Sequence, residues 1–507
     1  MPAIVLMLLG TLLVGACGLG MSTEDRLQRA EQSLQSGENR AAIIDAKNVL
    51  VDEPENVRAR LLLGKAALAD GDGATAEKEL RRAAELGAAQ EDTIAGIARA
   101  LLLQRKFDAL VKEFEAELPS GDADRVALLT ILGDARLALK QPELAREHYS
   151  RALELDANNP AAKLGTVQSY IAEGNPLQAR ATLSQVLDTN SDFAAAWLTS
   201  ARLNMSSGNY AAGKKDFARA ETIASGNGDT DQRVRAIYGL AEASFATNEL
   251  DEARKYSAQL DAIAGNSIAA LQIAARLAYA EKDWNAAQEK LADILRRSPG
   301  DNAARVLLGA VHLQSGNLGQ AEMYLSAAVA DAPGNADARR LLAETRLQLN
   351  KSDEAQQALR PLVDTPDADP RSLAMAARVD MLSGNYAGAA DFLERSVAEN
   401  PATSGAELDL AIAYLLADRI EDAQRVLDAG SADDSPDAAF RRDALRVLTV
   451  SRKSGMDAAV DEGRALRDKW SSQPMAHVLF GSMLASTGRF DEARDALNAA
   501  LAIAPDN

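Results

Sequence analysis

The stretch Lys282-Asp283-Trp284-Asn285-Ala286-Ala287 returns one period later as Gly316-Asn317-Leu318-Gly319-Gln320-Ala321, and again as Asn350-Lys351-Ser352-Asp353-Glu354-Ala355. Gly384 with Ala389, and Asp418 with Ala423, keep the same step. Pro299 and Pro333 each follow one of the first two alanines at an equal distance. A small residue at fixed phase, preceded by a turn former, at a period of about 34 residues marks a helix–turn–helix unit stacked on copies of itself. Such a unit cannot bury its apolar face alone, so neighbours share one continuous core.

Working outward, the beat overrides the two to four domains of about 150 residues each that a length of 507 would otherwise suggest. Composition agrees with helices. Aromatics make up only 4% of the chain, β-branched strand formers are scarce, and Ala, Leu, Glu, Gln and Arg dominate. No alternating apolar stretch is bounded by hairpin turns. The 55 Lys and Arg stand against 74 Asp and Glu, a formal charge of −19. That balance keeps a long exposed surface soluble and argues against nucleic acid, whose phosphates need a basic face. His148, His312 and His477 lie far apart along the chain, without HxH or HExxH spacing, so no metal site is expected. No GxSxG elbow occurs, the carboxylates are spread as solvated helix faces are, and Gly15-Ala16-Cys17-Gly18-Leu19-Gly20 does not fit GxGxxG. No catalytic residue, metal or cofactor is therefore expected.

Within one unit, residues 126–159, Gly133 takes place 8 and Ala145 place 20, where two helices approach. Tyr149 and Ala152 fill places 24 and 27, and Asp156-Ala157-Asn158-Asn159 closes the unit. The last unit repeats the pattern with Gly481, Gly488, Phe490, Ala493, Leu497, Ala500 and Pro505. Large residues at places 7, 17 and 24 fill the space between successive pairs. Glycine at place 15 supplies the positive φ of a helix C-cap at Gly37, Gly71, Gly174, Gly208, Gly316, Gly384 and Gly488. This pattern resembles the tetratricopeptide (TPR) repeat. The resemblance implies an all-α fold, a right-handed superhelical solenoid of about fourteen repeats over residues 23–507 that works by protein–protein interaction.

The beat slips three times. One extra residue falls near Pro119-Ser120-Gly121, six near Gly226-Asn227-Gly228-Asp229, and two between Gly430 and Pro436. These turn-rich points divide the array into blocks of roughly 23–121, 122–226, 229–433 and 434–507. At its start, Ser22 is placed to cap the first helix with Asp25 three residues on. At its end, Asn507 is the last place of a repeat and no solvating cap helix follows. Terminal repeats need a polar outer face, so three expectations stand: that the chain is truncated, the favoured one, that a partner covers the end, or that the last helix is polar enough alone.

Residues 1–22 carry no charged side chain, and Ile4 to Ala16 is apolar apart from glycine and threonine. That length suits the core of a signal peptide (residues 1–16) better than a spanning helix of about 20 residues. Leu13-Val14-Gly15-Ala16-Cys17 resembles a bacterial lipobox, which implies cleavage before Cys17, lipidation of its thiol and a short tether over residues 17–22. Cys17 is the only cysteine, so no disulfide forms within the chain. The departure from pattern is the lack of Lys or Arg before the apolar run, which suggests a start codon further upstream. Gly18, in the place where aspartate favours inner-membrane retention, implies the outer membrane facing the periplasm. Several acyl chains on one cysteine give stable anchoring.

In stacked TPR units helix A lines the groove, chiefly through places 2, 5, 9 and 12. Place 9 reads Lys65, Arg99, Asp134, Gln168, Arg202, Glu242, Arg276, Ala310, Glu344 and Arg378. Place 2 adds Arg58, Arg235 and Arg371, place 5 adds Tyr238, and place 12 gives an apolar row with Met205, Phe245, Tyr279 and Met381. The candidate ligand-binding residues are Arg202, Arg235, Tyr238, Arg276, Tyr279 and Arg378. Arginine offers bidentate contacts and an aromatic face offers stacking, so an acidic or sugar-bearing ligand fits them. Place 9 never offers the asparagine of the two-carboxylate clamp that some TPR domains use.

The opening repeats carry a narrower likeness. Ala41-Ala42-Ile43-Ile44-Asp45-Ala46-Lys47-Asn48-Val49-Leu50, Arg58-Ala59-Arg60-Leu61-Leu62-Leu63-Gly64 and Ala76-Glu77-Lys78-Glu79-Leu80-Arg81-Arg82-Ala83 resemble the TPR lipoproteins of the PEP-CTERM/exosortase system, as does Ala358-Leu359-Arg360-Pro361-Leu362. The resemblance implies a lipid-anchored scaffold of exopolysaccharide production or protein sorting in a Gram-negative envelope, with protein partners. The other expectations are an assembly factor for outer-membrane proteins or polysaccharide export, and a solenoid that binds polysaccharide directly.

Overall fold

The computed structural model describes residues 21–116, 118–119, 121–399, 405–429 and 435–505. Among them lie 28 α-helices and no strand. The signal-peptide and Cys17 readings fall outside the described residues. The chain forms two compact units, one running to Ala264 and the other from Gly265.

The first unit holds seven helical hairpins. They are Thr23–Gln35 (α1) with Asn39–Asp52 (α2), Val57–Ala69 (α3) with Gly73–Glu85 (α4), and Gln90–Leu103 (α5) with Phe107–Phe114 (α6). Asp122–Ala138 (α7) pairs with Pro142–Leu155 (α8), and Pro160–Ala172 (α9) with Pro176–Thr189 (α10). Ala194–Ser206 (α11) with Tyr210–Gly226 (α12), and Thr230–Ala246 (α13) with Leu250–Ala264 (α14), complete it.

The second unit holds seven more. Ile268–Ala280 (α15) pairs with Trp284–Arg297 (α16), Asn302–Gln314 (α17) with Leu318–Asp331 (α18), and Ala336–Gln348 (α19) with Ser352–Val363 (α20). Pro370–Ser383 (α21) pairs with Tyr386–Glu399 (α22), and Ala406–Leu416 (α23) with Ile420–Ala429 (α24). Pro436–Ser454 (α25) with Met456–Lys469 (α26), and Pro474–Ser486 (α27) with Phe490–Ile503 (α28), close the array at fourteen pairs.

The small residue at place 20 is the pivot of the hairpins, Leu110 of α6 being the exception. Ala42, Ala76, Ala145, Ala179, Ala253, Ala287, Ala321, Ala355, Ala389, Ala423 and Ala459 are all sealed from solvent. A methyl is the largest group that lets the two backbones come this close. The turn is equally regular. In the first unit Gly37, Gly71, Arg105, Lys140, Gly174, Gly208 and Asn248 all have positive φ, between 58° and 83°. The next amide then bonds back across the turn, as Asp72 N does to the Ala67 carbonyl at 2.8 Å and Asn175 N to Tyr170 at 2.9 Å, the Schellman closure. Lys282, Gly316, Asn350, Gly384, Asp418 and Gly488 repeat this in the second unit. Place 15 therefore takes the left-handed conformation whatever residue fills it, except in the α25–α26 hairpin, where Ser454 stays helical and Gly455 makes the turn at φ 90° and ψ 168°.

The A helices are capped from the linker by Asn56, Asn159, Asp229, Asp301, Asn335 and Asp369, each accepting from the amide three residues on. Ser22 and Asp25 form the expected capping box, with Asp25 N donating to Ser22 Oγ at 3.1 Å. The extra residues near Gly226 do not open a long loop. They lengthen α12 and α13 to 17 residues each. Helix continuation satisfies every added amide internally, which a loop would leave to water.

Candidate functional site

Successive A helices touch one another within each unit more than successive B helices do. The A face is therefore the inner side of each curve. Glu344 and Arg378, both at place 9 and one repeat apart, bond directly at 2.7 Å, so place-9 side chains of neighbouring A helices are within reach of each other there.

The most specific local construction lies in the first unit. Tyr149 of α8 is fully buried, between Gly133 of α7 and Gly165 of α9. A Cβ on Gly133 would lie 2.4 Å from the Tyr149 ring, and one on Gly165 2.3 Å. Only glycine leaves room for an aromatic ring to pass between two A helices. Its hydroxyl thereby reaches the inner face and donates to Asp134 Oδ1 at 2.7 Å. Burial pushes the Asp134 carboxyl above its ordinary value, against the Tyr149 hydrogen bond and the charge of Arg99. Burial and the neighbouring carboxylate raise the Tyr149 hydroxyl further.

Beside this pair is a cavity of about 330 Å³, open to the groove, lined by Thr130, Asp134, Leu137, Leu164, Gln168 and Phe193. Thr130 and Leu164 stand at place 5, Asp134 and Gln168 at place 9, and Leu137 at place 12. The places read from sequence as groove-lining thus converge on one hollow. Asp134 and Gln168 were readable at place 9, but the cavity was not. Its signal was the pairing of Gly133-Asp134 on one helix with a tyrosine, Tyr149, on the next.

Two repeats further along the same unit, Arg202 of α11 is exposed and has no hydrogen-bond or ion-pair partner among the described residues. Crowding by the surrounding protein and the like charge of Arg235 lower its guanidinium from the ordinary arginine value, although it stays charged. An exposed residue that is nevertheless crowded is what an inner wall produces. Arg235 of α13 pairs with Asp231 at 2.7 Å, both side chains being largely in solvent. Tyr238, half-buried, follows three residues on. The structure thus brings Arg202, Arg235 and Tyr238 onto adjacent A helices of one unit.

Arg276, Tyr279 and Arg378 belong to the second unit. Arg276 is half-buried on α15. Tyr279 packs edge-on against Trp284 with centroids 5.5 Å apart, so part of its face is committed to the core. Arg378 is engaged by Glu344. The place-12 residues Met205, Phe245, Tyr279 and Met381 are all half-buried, core on one side and groove on the other.

The histidines are structural. His148 is buried with Nε2 at 3.1 Å from Glu115, His312 stacks on Tyr324 at 5.5 Å, and His477 Nε2 lies 3.0 Å from the Ser471 carbonyl. Among the described residues, no group of three or more His, Cys, Asp or Glu is placed to hold a metal, and no helix is long and apolar enough to cross a membrane.

Stacked helical hairpins with a lined inner face and positive-φ turns at a fixed place define a helical-repeat binding solenoid. Two family models, both of the tetratricopeptide repeat, match the chain, one at residues 136–203, 278–330, 312–379 and 380–445, the other at 27–91 and 452–507. The chain belongs to the tetratricopeptide repeat superfamily. Proteins of this superfamily are generally non-catalytic scaffolds for protein–protein interaction. No curated protein matches the sequence. Among solved structures it is similar to a chain of the crystal structure of the APC/C hetero-tetramer Cut9-Hcn1, at 16% identity and a TM-score of 0.49, covering 96% of this chain and 95% of that one.

Proposed function

We propose that this protein is a lipid-anchored scaffold of a Gram-negative cell envelope, tethered through Cys17, whose inner face gathers protein components of an exopolysaccharide-producing or PEP-CTERM sorting apparatus. The observation that carries the scaffold is the inner face of the A helices, on which Arg202 has no hydrogen-bond or ion-pair partner among the described residues and feels the like charge of Arg235, in a chain of net charge −19. Cations held on the inner wall of an acidic protein favour a partner that presents carboxylates there. The lipobox-like Leu13-Val14-Gly15-Ala16-Cys17 supports the tether, and the sequence of the opening repeats supports the apparatus. An assembly factor for outer-membrane proteins or polysaccharide export is the alternative reading. Direct capture of an acidic polysaccharide is a third, weaker reading, which Arg202 and Tyr238 on adjacent A helices favour.

The test is labelled palmitate incorporation combined with cross-linked pull-down from envelope membranes. Wild type should take up label and retain a defined partner set. Cys17→Ser should lose the label, and Arg202→Ala should lose partners while keeping it. Label that persists in Cys17→Ser removes the tether. Partners untouched by Arg202→Ala remove this wall as their binding surface, and partners drawn wholly from other envelope assemblies remove the exopolysaccharide assignment.

A further inference from the structure

The cavity between α7 and α9 is chemically unlike the arginine wall. Asp134 spends Oδ1 on the Tyr149 hydroxyl, and Oδ2 has no protein donor among the described residues. Gln168, one repeat further along place 9, likewise makes no hydrogen bond among them. These two acceptor-bearing groups share a hollow whose other side chains include the apolar Leu137, Leu164 and Phe193, and Thr130, whose hydroxyl donates to the Val126 carbonyl at 2.8 Å. A carboxylate and an amide oxygen above an aliphatic and aromatic wall match a side chain with a hydrocarbon stem and a cationic, donor-only head. The volume of about 330 Å³ stands at the lower limit of small-molecule pockets, about 300–1,000 Å³, and suits one long side chain better than a cofactor.

We propose that this cavity is a specificity pocket for a basic side chain, arginine above lysine, presented by an extended segment of a protein partner lying along the inner face of the first unit. The inference rests on reading that face as a protein-binding surface. Arginine is preferred because its planar fork can donate to Asp134 Oδ2 and the Gln168 oxygen together. The energetic reason is that the Asp134 anion is poorly solvated where it stands, so a bound cation repays its desolvation while a neutral amide does not. Arg99, on the preceding A helix, acts on Asp134 only through space and makes no hydrogen bond to it among the described residues. The pocket and the Arg202–Arg235 wall lie about two helix spacings apart, about 20 Å at 8–10 Å per packed helix. An extended chain covers that in about six residues at about 3.3 Å each. The partner segment therefore carries a basic residue and, about six positions away, an acidic one.

Fluorescence polarisation on the full chain at physiological salt tests this with two capped, fluorescein-labelled nonapeptides, one alternating alanine with arginine and the other alanine with glutamine. The arginine peptide should bind and the glutamine peptide should not. Asp134→Asn, which keeps an oxygen for Tyr149, should weaken binding by about tenfold or more, since a charge-assisted pair is lost. Gln168→Ala should weaken it and Gln168→Glu strengthen it; neither disturbs a bond of the fold. Asp188→Asn, which removes an exposed charge outside the pocket, should leave affinity unchanged.

An equal loss in Asp188→Asn and Asp134→Asn would reduce the effect to general attraction by an acidic protein and overturn the pocket. So would absence of binding, or Gln168 variants without effect. Free arginine or spermidine binding as tightly as the peptide would overturn the peptide assignment. Failure here with an Arg202-dependent partner still captured from membranes sinks the pocket alone. Loss of both sinks the protein-binding reading of this face.

Discussion

At the scale of single residues, the fold is decided by where side chains are missing. Gly133 and Gly165 look alike in sequence to the turn glycines, yet they serve close approach and not backbone freedom, since both lie within helices against the Tyr149 ring. Place 8 was legible as small. The second glycine, at place 6 of the following repeat, was not, because the ring it admits belongs to the preceding hairpin. Gly239 against Phe217 repeats the same contact in the same unit. Gly165→Ala puts a Cβ 2.3 Å from a fully buried ring that cannot retreat. It should cost about 1–3 kcal/mol by overpacking, and break the Tyr149–Asp134 bond. Gly226→Ala, where a Cβ meets open space at the end of α12, should be neutral or slightly stabilising. Urea midpoints followed by Trp197 fluorescence, in a chain with Trp284 and Trp470 replaced by phenylalanine, distinguish them; equal midpoints would show that the ring can move.

At the scale of elements, the hairpin turn was only half legible. Seven turns announce themselves by glycine, and the structure gives each of those a positive φ. Arg105, Lys140, Asn248, Lys282, Asn350 and Asp418 adopt the same conformation without glycine. Asn248, Asn350 and Asp418 are of the non-glycine types that tolerate this region, whereas Arg105, Lys140 and Lys282 are revealed only by their phase. The Schellman closure and the packing of both helices hold these residues where a Cβ is unwelcome. A non-glycine residue in the left-handed region costs about 1–2 kcal/mol, and glycine's extra unfolded-state entropy offsets about 0.5–1 kcal/mol of that. Lys282→Gly should therefore stabilise α15 and α16 by about 0.5–1 kcal/mol, and Gly316→Lys should cost a similar amount in α17 and α18. Trp284, close to the first of these turns, reports the Lys282→Gly midpoint directly. A lower midpoint there would mean that the lysine side chain contributes a contact larger than the strain.

At the scale of the whole molecule, fold and site differ in legibility for one reason. Periodicity is a property of the sequence, so fourteen hairpins and their inner face could be counted from residue numbers alone. A cavity depends on residues that vary from repeat to repeat, as where Gly165 at place 6 and Asp134 and Gln168 at place 9 meet around one hollow, and such variation carries no label. The same one-dimensional order governs stability. Each hairpin packs on its neighbours, so stability is close to a sum of local and nearest-neighbour parts, and damage to one hairpin propagates only as far as that coupling reaches. Gly309 of α17 offers a clean lesion, since a Cβ there would lie 2.6 Å from Leu325 of α18, a fully buried side chain. In Gly309→Ala, amide hydrogen exchange should quicken in α17 and α18, less in α16 and α19, and not at all in α1–α13. A uniform loss of protection through the first unit would mean that the chain opens as a single cooperative body. Confined loss would mean that binding on the inner face of the first unit can be dissected by mutation without unfolding the second, which the peptide and pull-down experiments require.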